Sequence, residues 1–192
     1  AGSRYNCFVI NNIEEAIRML EKNLSVKDNP SDHYNLGLLY AKQKKHAEAV
    51  QHLKKAIELS PSDMRFYRTL ASLFVRQKEI EKAIGLMEIA LKHNPDNAEA
   101  LNILGLFHYN MSQLDKAISY FKQALSQGNC DDEHKLKIMI NLAESYRAQK
   151  KYDAALGMFE QALAQFPDKT ELLKLKMEEI KRMQQEMPSE KQ

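Results

Sequence analysis

Asp131, Asp132, Glu133 and His134 stand side by side, three carboxylates and an imidazole that could each ligate a metal ion. Their place just ahead of an apolar-periodic stretch gives them a simpler task. Helix N-termini favour acidic residues through capping and the helix dipole. The six His residues contain no pair at zinc-site spacing with a third ligand. Neither Cys7 nor Cys130 has a nucleophile's neighbours, and two cysteines make no disulfide framework. Cys130 is expected to be exposed and oxidisable. Glycine-rich phosphate loops are absent, and Lys42, Lys44 and Lys45 read as a solvated turn. No catalytic residue, metal site or cofactor is assigned. The chemistry that remains is recognition. Arg65, Arg68 and Arg76 offer planar, multi-donor contact to carboxylates. Asn102 and Asn110 carry amides that both donate to and accept from a peptide backbone.

The elements that must position these residues are repeated. Ala49, Ala83 and Ala117 recur every 34 residues, each followed seven residues later by Ala56, Ala90 and Ala124. Ala155 and Ala162 repeat the pair once more, four residues late. A fixed period of this length marks stacked supersecondary units rather than one closed core. Aligned on the alanines, four units run over 30–63, 64–97, 98–131 and 136–169. Their first segments carry His33, Leu36-Gly37 and Tyr40; Tyr67, Leu70-Ala71 and Phe74; Leu101, Leu104-Gly105 and His108; and Met139, Leu142-Ala143 and Tyr146. Between the paired alanines stand Leu53, Met87, Phe121 and Phe159, and Pro61, Pro95 and Pro167 close three units. Apolar residues at three and four spacings predict amphipathic helices. His33 and His108 fall in packing slots and read as structural.

This pattern resembles the tetratricopeptide repeat, over about 140 residues. It departs in having no Trp at the first position, and Lys44, Lys78, Ser112 and Lys150 where many repeats have Gly in the tight turn. The resemblance implies an all-α, right-handed superhelical solenoid of antiparallel helix pairs, in which the first helices line a concave groove. Residues 170–187 read as a capping helix, with Leu172, Leu173, Met177, Ile180 and Met183 on its apolar face. An alternative use of that face is a partner contact. Residues 188–192 read as a frayed tail. Asn29-Pro30 predicts an N-cap followed by Pro at the first helical position. Gly128 before Asn129 predicts a helix C-cap. The four extra residues of the last unit predict a helix lengthened at its N-terminus, since four is close to one turn.

Residues 1–29 read as a partial leading unit, its second helix running from Ile13 to Leu24 and its first confined to Tyr5–Ile10. Ala1-Gly2-Ser3, without Met, reads as a cloning remnant, so the chain is expected to begin inside a repeat of a longer protein. A net charge of +2 gives no support to nucleic-acid binding. No apolar run approaches the roughly 18 residues of a membrane span. The cysteine usage fits a cytoplasmic location.

By alignment, the groove positions left over from packing include Tyr34 and Leu38; Arg65, Arg68 and Arg76; Asn102, Leu106, Tyr109 and Asn110; and Lys137, Glu144 and Arg147. The resemblance implies a non-catalytic scaffold or adaptor holding a protein or peptide partner there, and the arginines favour an acidic one. Some family members grip heat-shock chaperone tails with a two-carboxylate clamp. Its slots hold Tyr34, Leu38, Thr69, Glu99 and Ile103 here, which argues against that ligand. The alternatives are a self-assembly module forming homo-oligomers and a docking segment of a larger enzyme.

Overall fold

A computed structural model describes residues 2–128 and 130–186, with side chains from residue 12 onward. The expected tail 188–192 and Asn129 lie outside the described residues. The chain divides into two compact units, residues 1–94 and 95–192. The first holds α1 (Gly2–Val26), α2 (Pro30–Lys42), α3 (His46–Leu59), α4 (Met64–Arg76) and α5 (Ile80–His93). The second holds α6 (Ala98–Asn110), α7 (Leu114–Ser126), α8 (Asp132–Ala148), α9 (Tyr152–Gln165) and α10 (Thr170–Glu186). Within each unit every helix packs on the next. Among the described residues there is no strand, and no helix is long and apolar enough to cross a membrane.

The first helix of each pair starts on a side-chain cap. Asn29, Asp63, Asn97 and Asp131 accept from the backbone N–H of Ser31, Arg65, Ala100 and His134. These caps keep the 34-residue spacing throughout, so the four extra residues enter after Asp131. They make α8 17 residues long where α2, α4 and α6 have 13. Asp131 also bonds His134 Nδ1, and Glu133 holds Lys137 at 2.6 Å. The acidic cluster is thus the start of a helix. Gly128 does not act as expected. The C-cap of α7 is the extended Gln127, and no described glycine has a positive φ.

The turns inside the four pairs are alike. Lys45, Glu79, Gln113 and Lys151 each donate to the carbonyl five residues back, at 2.8–2.9 Å. That closure puts the preceding residue in the left-handed region, and Lys44, Lys78, Ser112 and Lys150 have φ of 62°, 63°, 59° and 60°. A side chain there costs roughly 1–2 kcal/mol relative to the right-handed region. Glycine would relieve it.

Small residues set how closely the helices meet. The second-helix alanines Ala49, Ala56, Ala83, Ala117, Ala124, Ala155 and Ala162 are fully buried. A Cβ on Gly37 would lie 2.7 Å from Leu53 Cγ, and one on Gly105 would lie 2.5 Å from Phe121 Cε1. The pairs therefore close without room for a methyl group at those two points. The second helices stop two residues short of Pro61, Pro95 and Pro167, where proline cannot continue them.

The ends depart from expectation in two ways. α1 is one uninterrupted helix of 25 residues rather than a short first helix and a second. Its sequence has no Pro and no Gly after Gly2, so nothing stops it. At the other end α10 buries Leu173, Met177 and Ile180 against Ala155, Phe159 and Ala162 of α9, as a cap does. Leu172, expected on that face, is 47% exposed, because adjacent helical residues point about 100° apart and Leu173 takes the buried direction.

A histidine pair ties α2 to α3. His33 Nε2 lies 2.7 Å from Asp28 Oδ1, and His33 Nδ1 faces His52 Nδ1 at 2.8 Å. One ring must donate and the other accept, so the contact needs an unprotonated nitrogen. Tyr40 stacks on His52 and donates to Glu21 of α1 at 2.9 Å. Burial and that bond push Tyr40 up to about 12. Burial, followed by the facing His33, pushes His52 below its usual 6.5.

Two predictions follow from these local geometries. Lys78→Gly should raise stability to urea by about 1 kcal/mol, whereas Lys78→Ala, which keeps a Cβ, should not. Equal midpoints for the two variants would contradict the strain. For His52, the folded chain binds its proton less readily than the unfolded one. The contribution is complete above 6.5 and is lost as pH falls through the lowered folded value. The unfolding midpoint should therefore fall between about pH 7.5 and about pH 5.5, and His52→Gln should remove most of the fall. A parallel fall in the variant would count against the pair.

Candidate functional site

In the first unit the C-terminal ends of α2 and α4 converge on a cavity of about 570 Å³. Leu38, Arg68 and Arg76, three of the groove positions read from the sequence, line it. Lys42 and Lys44 line it too, and the turn that strains Lys44 is what carries its side chain to the rim. Thr69 and Ser72 supply hydroxyls, while Leu38, Ala41 and Leu73 supply apolar surface. Four cations thus share a wall that holds no acidic residue. Such a wall favours an anionic occupant, and the field is strongest where water is partly excluded.

The remaining first-unit positions are used differently. Arg65 forks onto Asp63, with Nη2 to Oδ2 at 2.6 Å and Nε to Oδ1 at 3.0 Å. This bond holds Asp63 below the usual carboxylate range and raises Arg65. Arg65 therefore serves the cap of its own helix and lies outside the cavity. Tyr34 packs on Phe66 at 5.1 Å between ring centroids and shares a 3.3 Å hydrogen bond with Thr69.

The second unit has a cavity of about 450 Å³ lined by Leu106, Tyr109, Glu144 and Arg147, with Ile140 and Asn141. α10 adds Lys176 and Glu179, so the capping helix is also a wall. Glu144 accepts from Lys176 Nζ at 2.7 Å and from Arg147. Burial alone would push Glu144 up, yet these two cations hold it below the usual range. Asn141 donates to Asn102 at 3.0 Å. Asn110 is exposed at the end of α6, and Lys137 is spent on Glu133 outside the cavity. Two carboxylates and two cations line this wall, where four cations line that of the first unit.

Sequence reasoning read Lys42, a groove position of the alignment, as part of a solvated turn, and it missed Lys44, Lys176 and Glu179. The signal for the last two was the period itself. Thirty-four residues after Met139, Leu142, Ala143 and Tyr146 stand Leu173, Lys176, Met177 and Ile180, so α10 continues the first-helix frame. For Lys44 the signal was its slot in the tight turn where many repeats have Gly, while Lys42 ends α2 itself. His108, read as structural, is buried, bonds Gln113 at 2.8 Å and stacks on Tyr120. Cys130 is half-buried rather than exposed, and burial with the adjacent Asp131 pushes its thiol up, away from the reactive thiolate.

Comparison with known proteins places this architecture. Tetratricopeptide repeat family models match residues 31–63 and 96–168. The fold is similar to that of MamA at 24% identity, covering 85% of this chain and 94% of MamA with a TM-score of 0.65. PilF of Pseudomonas aeruginosa is 26% identical, over 82% of this chain and 69% of its own, with a TM-score of 0.66. YrrB, described as a TPR protein with an unusual peptide-binding site, is 22% identical over 89% of this chain and 86% of its own, with a TM-score of 0.63. A search of curated proteins gave no match.

Proposed function

Because this chain belongs to the tetratricopeptide repeat family, we propose that it is a non-catalytic scaffold holding an acidic segment of a partner protein in the basic cavity of its first unit. The observation that carries this reading is the wall on which Lys42, Lys44 and Arg76 stand together. Arg76 suits carboxylates through its planar fork, and the two lysines act as mobile point charges. Thr69 and Ser72 can donate to or accept from the peptide backbone. A peptide-binding site in YrrB, which shares the fold, supports the same use here. The second cavity, with Leu106, Tyr109 and the Asn102–Asn141 pair, suits a less charged stretch. The cysteine usage suits a reducing compartment such as the cytoplasm.

The test is fluorescence anisotropy with a labelled glutamate-rich peptide, titrated with the native protein and with Lys42→Glu plus Arg76→Glu. Both residues are exposed, so the variant should fold. Reversing two charges should weaken binding by at least about tenfold, roughly 1.4 kcal/mol. Native binding should also weaken steeply with salt. Binding that survives the double reversal would rule out the cavity as the acidic site.

A further inference from the structure

The basic cavity does not stand alone. On the other side of α2, between α1 and α2, lies a second cavity of about 480 Å³. Its wall is mainly Met19, Leu20, Leu38 and Leu39, with the amides of Asn23 and Asn35 beside them. Met19 is 64% exposed, a large apolar side chain left in water. Leu38 and Lys42 line both cavities, so the apolar compartment adjoins the basic one.

Resting on the acidic-ligand reading above, we propose that the first unit binds a two-part peptide segment, whose apolar side chains fill the α1–α2 cavity while adjacent carboxylates meet Lys42, Lys44 and Arg76. Continuity with the basic site is one argument for this occupant. Leu38 and Lys42 are one helical turn apart, about 6 Å along α2. An extended peptide spans that in about two residues at roughly 3.3 Å each. The apolar and acidic parts of the ligand are therefore neighbours in its sequence. Charge is the other argument. The apolar wall has Lys42 at its edge and no acidic residue, so an occupant carrying its own negative charge is favoured over a neutral or basic one.

The experiment uses two labelled peptides, one with two leucines followed by four glutamates and one with serines in place of the leucines. The native protein should bind the leucine peptide at least about tenfold tighter than the serine peptide. Met19→Ser should shrink that gap to less than about threefold while leaving the serine peptide's affinity unchanged. Arg76→Glu should weaken both peptides. Equal affinities in the native protein, or a gap that Met19→Ser leaves intact, would overturn the two-part ligand while the acidic reading stands. Failure of both peptides to bind would overturn both. Concentration-dependent self-association abolished by Met19→Ser, without a leucine preference, would assign the apolar cavity to a second copy instead.

Discussion

The two helices of a pair lie as close as they do because no Cβ stands between them at Gly37 and Gly105. At those two points the facing Leu53 and Phe121 occupy the space a methyl group would need. Both are fully buried, so neither can swing away cheaply. The alanines of the second helices extend the same economy along each pair. This packing uses one face of each first helix, and Leu38, Arg76, Leu106 and Tyr109 stand on the strip that lines the cavities.

Function follows from how that strip is charged. Positions used in packing are nearly the same in every pair, so they carry no information about a ligand. The remaining positions differ between the units. In the first unit four cations and no carboxylate line the cavity, while the second pairs Glu144 with Lys176 and Arg147. Lys44 shows the cost of this arrangement. It holds a left-handed turn that glycine would hold without strain, and in doing so brings a fourth charge to the cavity.

Much of this was legible in the residues. The alanine ladder, the prolines and the capping Asn29 located the helices, because each is a local signal with a local cause. The lengthened α8 was legible too, since four inserted residues keep its apolar face in phase. The site was less so. Arg65 shares the repeat's groove positions, but Asp63 two residues earlier captures it, and competition between neighbours is invisible to a periodic alignment. Lys44 read as solvated because its direction depends on a backbone φ that sequence does not state, and Lys42, the last residue of α2, read as part of the same turn. α10 read as a cap or a partner contact, not as a cavity wall, because Lys176 breaks the apolar pattern at the very slot that marks the first-helix frame. The uninterrupted α1 was obscured by the expectation of a paired unit, though its residues hold no break.

The dependence on close approach can be measured by comparing two alanine substitutions of helical glycines. Gly105→Ala places a Cβ 2.5 Å from Phe121, whereas Gly157→Ala meets nothing within 4 Å in the middle of α9. Urea unfolding should show Gly105→Ala destabilised by roughly 1–3 kcal/mol through overpacking. Gly157→Ala should be stabilised by about 0.5–1 kcal/mol, as alanine is in any helix interior. If both substitutions stabilise the protein alike, the helices do not meet as described and the strip that lines the cavities loses its physical basis.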